Sequence, residues 1–295
     1  MNRRPVSAVV VRWRGGDEVD RCLESLMEHA RWELENVILV DSGSGDGGAD
    51  RLASTFPSVH VVALDHNRSF AWAVAQGADT CPDHHLLILN PDTQITPGAV
   101  ARLVGHLEDH PEIAGTVPLL IEPGGASQHL WQLRRLPTAA RLAGGCPGAP
   151  QFPDGPPDRP AAVAQPAASA WLVRRAVWDT LGGFDPVFAP AWWEDVDFCA
   201  RLDAELGDSE FPASTGFFVV PDAIVKHQGA SSLSDLHADQ FLAVYYRNLM
   251  RYVDRHHERH RTSIRIGLEL SLMGRALLRP SRRRGYLQAL RGLSL

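Results

Sequence analysis

The feature that most constrains this chain is an alternation, through its first hundred residues, of short apolar runs with segments of helical period. Val6–Val11 is rich in β-branched residues along its whole length, the pattern of a strand covered on both faces. Gly15 and Gly16 break it, and Glu18–His29 then places Val19, Cys22, Leu23 and Leu26 on one helical face. Val37–Val40 reads as a second buried strand, closed by the glycine-rich turn Asp41–Gly48. A short helix (Ala49–Thr55), a strand (Val59–Leu64), a helix (Phe70–Asp79), a strand (Leu86–Leu89) and a helix (Pro97–His110) follow. Such spacing builds βαβ units, so the expected class is α/β, a mostly parallel central sheet flanked by helices. Ligands of such sheets bind beyond the carboxyl ends of the strands. Trp13–Gly16, Asp41–Gly48 and Asn90–Asp92 all follow strands and are expected to converge on one crevice.

The second half changes character. Pro137–Pro166 carries eight prolines in thirty residues and reads as a mobile loop or lid. Regular structure resumes over Trp171–Leu181, with a helix at Glu194–Leu206, a strand at Phe217–Val220 and a helix at Asp239–Tyr252. The expected catalytic domain is 1–255, with a nucleotide-binding half of about 1–115 and an acceptor half of about 116–255; a basic amphipathic helical tail, 256–295, follows.

Charge separates body from tail. Residues 261–295 hold eight arginines and one glutamate, a net of +7, so a chain of net charge -6 leaves -13 on the rest. An acidic body excludes nucleic acid as a partner, because that affinity comes mainly from neutralising phosphate. The tail interleaves arginines with Ile264, Leu268, Leu272, Met273 and Leu277. That pattern fits a peripheral contact with an anionic bilayer, and equally a surface helix packed on the body or a homodimer contact. No run of about 18 apolar residues suggests a membrane span. Four single cysteines, without any CxxC pair, indicate a reducing, cytoplasmic setting.

Three constellations carry chemistry. Asp92, in Asn90-Pro91-Asp92 after a buried strand, is a hard oxygen ligand where Mg²⁺ or Mn²⁺ would bridge phosphates; an Asx-turn explains the same tripeptide. Glu194-Asp195-Val196-Asp197 opens a helix behind Trp192 and Trp193. Acids suit a helix N-terminus, but carboxylates against indole walls also suit a general base beside a sugar ring. His227 leaves a strand into Gly229-Ala230-Ser231-Ser232, where hydroxyls and backbone N–H groups can hold an anion.

Eight segments in order resemble the inverting glycosyltransferases of family 2, rhamnosyltransferase-like branch. They are Val11–Arg14, Val40–Gly47, Asn67–Ala71, Ile88–Asp92, Ser169–Arg175, Gly182–Phe188, Glu194–Asp197 and His227–Ser231. The resemblance runs from about Val6 to about Leu249 and implies a GT-A fold. It also implies a divalent metal (Mg²⁺ or Mn²⁺) and a nucleoside-diphosphate sugar donor, linked to dTDP, UDP or GDP. The acceptor would be a glycan, a lipid-linked sugar or a small molecule. By this resemblance Trp13 stacks on the base and Asp41 accepts from it, with Ser44, Asn67 and Asn90 nearby. Asp92 holds the metal, with His227 as a further ligand, and Asp195 deprotonates the acceptor. Trp192, Trp193 and Glu194 face the acceptor sugar. The family's asparagines in the first turn are here Arg12 and Arg14, suited to a diphosphate. Two other classes stand beside this reading. A silent sugar-binding module would not need Asp195. A nicotinamide-dependent oxidoreductase would need a GxGxxG after the first strand, which is missing.

Overall fold

The computed structural model of the chain describes residues 5–207, 216–229 and 238–293. Strands β1 (Val6–Arg12), β2 (Leu34–Asp41) and β3 (His60–Ala63) alternate with helices α1 (Glu18–His29), α2 (Gly48–Thr55) and α3 (Phe70–Asp79). After them come β4 (His85–Leu89), β5 (Thr93–Ile95), α4 (Ala99–Asp109) and β6 (Gly115–Ile121). A middle stretch holds α5 (His129–Gln132), β7 (Leu133–Arg134), α6 (Ala139–Ala143), β8 (Ala161–Val163), β9 (Gln165–Pro166), β10 (Ala170–Val173) and α7 (Arg175–Leu181). The chain ends with α8 (Glu194–Gly207), β11 (Phe217–His227), α9 (Ala238–His256), α10 (Arg261–Leu278) and α11 (Arg283–Gly292).

The main sheet has the order β3-β2-β1-β4-β10-β6-β11-β5, with β8 paired to β11. The strands β3, β2, β1 and β4 run parallel, as do β6 and β11; β10 is antiparallel between β4 and β6. All seven residues of β1 are buried, as a strand clothed on both faces requires. Val6, Ala8 and Val10 face a core with Leu23 and Leu26 of α1 and Leu103 of α4. Val9 and Val11 face a second core with Val74 of α3, Trp171 and Phe217. Helix α3 lies directly on β1: a Cβ at Gly77 would sit 2.5 Å from a methyl of Val9.

Two features depart from the sequence expectations. First, β11 continues past Val220 to His227, because Pro221-Asp222-Ala223 forms a bulge against β6 between the pairs Val220–Pro118 and Ile224–Leu119. This continuation carries His227 to a pairing with Thr93 of β5. Second, Pro137–Pro166 is built into the fold: α6 packs on α10, β8 joins the main sheet, and β9 pairs with β7 in a separate two-stranded sheet. The tail helices follow the packed alternative. Ile264, Leu268, Leu272, Tyr286 and Ala289 join Tyr246, Leu249 and Val253 of α9 in a third core.

Asp197 joins α8 to α9. Its carboxylate has no exposed surface and accepts from Arg201 at 2.8 Å, His256 at 2.8 Å and Arg255 at 2.9 Å. Burial alone would raise this carboxyl, but the hydrogen bonds from His256, Arg201 and Arg255 outweigh it and hold it below its ordinary value. Asp197→Ala strands those cations, and a loss of about 3–5 kcal/mol in urea-denaturation stability is expected. A depressed carboxyl stabilises the fold fully above its unfolded pKa and loses that contribution as pH falls through the folded one. The gap between wild type and Asp197→Ala should therefore shrink below about pH 4.

Candidate active site

A cleft of about 690 Å³ opens at the carboxyl ends of β1, β2 and β4. From β1 comes Trp13, from the loop after β2 Ser42, and from the turn after β4 Asn90 and Asp92. The end of β11 supplies His227, and the start of α8 supplies Glu194 and Asp195. Asn67, Trp192 and Trp193 also line it. Eight of the sequence-derived site residues thus meet there, besides Asp195.

Arg12, Asp41 and Ser44 do not line the cleft; they build the turn behind it. Arg12 is 2% exposed and is ion-paired with Asp41 and, at 2.7 Å, with Asp46, so its charge is not turned towards a diphosphate. A Cβ at Gly48 would run into that guanidinium, and Gly43, Gly45 and Gly47 all have positive φ. Asp41 uses its second oxygen to accept from the Ser44 N–H at 2.8 Å, and the Ser44 hydroxyl accepts from the Arg14 N–H at 2.7 Å. Ala230, Ser231 and Ser232 lie outside the described residues.

Asp92 and His227 form the most informative pair. Their Oδ1 and Nε2 atoms face each other at 3.5 Å, both side chains buried. Gln128 decides which nitrogen carries the proton. Its amide Nε2 donates to the His227 carbonyl at 3.0 Å, which turns its Oε1 to His227 Nδ1 at 2.9 Å. Nδ1 must then be the protonated nitrogen. Burial lowers the His227 pKa, with Asp92 opposing, so the ring is neutral near pH 7 and Nε2 presents a lone pair. Two acceptors therefore point at one spot with no proton between them, and Asp92 Oδ1 has no hydrogen-bond partner. Such a donor set, one carboxylate oxygen and one imidazole nitrogen, fits a divalent cation whose other positions go to phosphate and water. Among the described residues no group of three His, Cys, Asp or Glu side chains gathers that could hold a metal ion.

The carboxylates at the start of α8 differ in environment. Asp195 Oδ2 accepts from Gln165 Nε2 at 3.2 Å and the Ala168 N–H at 3.4 Å, with Arg134 at 3.6 Å. Gln165 and Arg134 sit on β9 and β7, so the small sheet holds this carboxylate. Burial, with the Asp195 charge adding to it, pushes Glu194 up to about 8. Glu194 keeps its proton at neutral pH and spares the pair a like-charge repulsion.

The preceding loop is strained. Trp192 (φ 72°) and Trp193 (φ 80°) are both left-handed, a conformation that bulky residues rarely adopt. Asn248 of α9, fully buried, holds them there by donating to the carbonyls of Phe188, Ala191 and Trp192 at 2.7, 2.9 and 3.3 Å. Trp193 is only 3% exposed and packs on Tyr245 and Tyr252, so it backs the cleft more than it covers a ligand. Seven buried side-chain atoms lack a partner among the described residues, and four belong to cleft residues: Asp92, Arg134, Trp193 and Glu194. Unsatisfied polar atoms concentrated in one cavity mark a place where a polar ligand completes the bonding. Sequence reasoning missed Gln128, Arg134 and Gln165, which lie in segments with no periodic or motif signal, and Asn248, whose helix is expected but whose buried amide leaves no local spacing.

Residues 7–148 match the family model Glycosyl transferase family 2. The chain is 27% identical over 305 residues to N-acetylglucosaminyl-diphospho-decaprenol L-rhamnosyltransferase of Mycobacterium tuberculosis, covering 94% of this chain and 95% of that one. It is 33% identical over 85 residues to undecaprenyl-phosphate 4-deoxy-4-formamido-L-arabinose transferase of Yersinia enterocolitica, covering 28% of this chain and 26% of that one. Among solved structures it resembles GalNAc-T7 with UDP, GalNAc and Mn²⁺ (TM-score 0.66, 14% identity), covering 99% of this chain and 56% of that one. It also resembles S. aureus TarS 1–349 (TM-score 0.57, 13% identity), covering 98% of this chain and 80% of that one. At those identities the structures establish the fold alone.

Glu194 gives a prediction independent of any substrate. Its folded pKa is above the unfolded one, so the stability held by the protonated form is lost as pH rises from 4.5 to about 8. Glu194→Gln keeps the neutral shape. Across that window the variant should gain on wild type in thermal or urea stability, by at most about 1.4 kcal/mol per pH unit; parallel curves would show that Glu194 titrates normally.

Proposed function

We propose that the chain acts as a family 2 glycosyltransferase on a GT-A fold and moves one sugar, with inversion, from a nucleoside diphosphate to a hydroxyl of a lipid-linked acceptor. The observation that carries this reading is the pair of facing acceptors, Asp92 Oδ1 and His227 Nε2, in the same cleft as Asp195. The full-length mycobacterial relative names an L-rhamnosyltransferase and a diphospho-decaprenol acceptor, which favours a deoxyhexose donor and a polyprenyl-diphosphate sugar from cell-wall or polysaccharide assembly.

In this reading Trp13 stacks on the base and Asn67 and Asn90 flank the donor. Asp41 accepts from the base only if its pair with Arg12 rearranges. Asp92 and His227 hold Mg²⁺ or Mn²⁺, which when bound offsets the charge that develops on the leaving diphosphate. Gln128 keeps the His227 ring turned with Nε2 towards that position. Asp195, fixed by Gln165 and Arg134, takes the proton of the acceptor hydroxyl as its oxygen attacks the anomeric carbon. The diphosphate leaves from the opposite face, so the anomeric centre inverts. Trp192 and Glu194 line the acceptor side, where neutral Glu194 can donate a hydrogen bond to a sugar oxygen.

Two measurements test this. Calorimetric titration of UDP, dTDP and GDP, with and without Mn²⁺ or Mg²⁺, should show metal-dependent binding of one nucleotide that Asp92→Ala loses; binding indifferent to metal and to Asp92 would overturn the metal assignment. Asp195→Asn should bind that nucleotide like wild type yet turn over about 10²–10⁴-fold more slowly, the usual worth of a general base. A product that retains the donor's anomeric configuration would exclude the single displacement.

A further inference from the structure

Helix α10 is apolar on two opposite sides, and only one of them is covered. Ile264, Leu268, Leu272 and Ala276 are buried in the third core. Ile266, Leu270, Met273 and Leu277 follow one another at steps of four, three and four, which on a helix is a single narrow stripe. They are 52, 65, 53 and 75% exposed. The first set pins the tail to the body; the second has nothing against it among the described residues.

The stripe has a charged frame of one sign. At its end Leu278 is 83% exposed, and Arg279, Arg282 and Arg283 are exposed beyond it. The only carboxylate on α10, Glu269, is paired with Arg265 at 3.0 Å. We propose that this face is the protein's docking surface for an anionic lipid bilayer, the stripe entering the acyl boundary and the arginines meeting lipid phosphates. The -13 of the body and the +7 of residues 261–295 orient the molecule, tail towards the membrane and body away from it. A second copy of the chain is a poor occupant, because a symmetric contact through this stripe would set one +7 tail against another.

Helix α10 lies between the docked face and the wall of the cleft. On its side away from the stripe, Ser271 donates to the carbonyl of Gly144 at 3.0 Å and Arg275 to that of Gly145 at 2.9 Å, and Pro147 and Gly148, just beyond, line the cleft. Docking would hold the cleft about 10 Å, one helix diameter, behind the layer in which a polyprenyl chain is dissolved. That consequence rests on the proposed acceptor; the docking rests only on the stripe and its arginines.

The test is flotation of the full-length protein with phosphatidylcholine vesicles, with and without phosphatidylglycerol, in the absence of any sugar substrate. Wild type should float with the anionic vesicles, less so at high salt. The double variant Leu270→Ser, Leu277→Ser should partition about tenfold less or worse, with unchanged melting temperature and unchanged nucleotide binding. Wild type that stays at the bottom with anionic vesicles, or a double variant that floats as wild type does, would overturn the proposal. A dimer in light scattering that the double variant converts to monomer would overturn it too, by assigning the stripe to a second copy. Failure here leaves nucleotide binding intact, whereas failure of the proposed reaction leaves flotation intact.

Discussion

The Asp197 carboxylate sits where three separately folded pieces meet, and the acceptor side of the cleft takes its shape from that junction. Arg201 reaches from α8 to Asp197 and also donates to the carbonyls of Leu181 and, at 2.8 Å, Gly183, closing the turn after α7. Arg255 reaches from α9 to Asp197 and to Asp185 of the same turn. With one buried anion at the centre, turn, α8 and α9 cannot shift independently without separating charges already stripped of water. Asp195 lies two residues before Asp197, and Asn248 lies two helical turns before Arg255. The same fixed frame therefore carries both the carboxylate of the cleft and the amide that keeps Trp192 and Trp193 left-handed. The motif that looks catalytic in sequence divides its work: Asp197 anchors, Asp195 faces the cleft, and Glu194 stays neutral beside it.

On the opposite side the strategy is different. The turn after β2 is stiffened by Arg12, whose guanidinium neutralises Asp41 and Asp46 behind the cleft. An arginine so placed adds no positive charge to the cavity; Arg134 and Arg135 line it, and the proposed metal position lies between Asp92 and His227. There the protein presents only electron pairs. An anionic donor would be repelled by that arrangement alone, and a cation turns repulsion into attachment.

How much of this was legible follows from where the information lies. The parallel half was readable because β1, β2 and β4 are buried on both faces, which forces runs such as Val9–Val11 and Leu86–Leu89, and because α1 and α3 each hide one stripe. Asp92, Asp195 and His227 were readable because they occur in ordered motifs. Arg12 misled, since its sequence neighbours could not reveal that Asp41 and Asp46 fold back onto it. Gln128, Gln165 and Asn248 were not readable: a buried amide bonded to carbonyls elsewhere in the chain leaves no periodicity and no local spacing. The extension of β11 was hidden by Pro221, which ends most strands but here falls in a bulge.

The proline-rich segment shows why a part with so little pattern still matters. Its residues return to the body at three places: β8 on β11, α6 on α10, and β9 on β7. The last contact sets Gln165 and Arg134 against Asp195. Pro147 and Gly148 of the same segment line the cleft, and Gly144 and Gly145 bond to α10. One stretch therefore touches the carboxylate of the cleft, the cleft wall and the tail. Prolines suit that task, because fixed φ angles reduce the entropy lost in ordering a long connection that has few backbone ladders of its own. The tail and Asp195 are thus joined through hydrogen bonds at Gly144, Gly145 and Gln165 of this one segment.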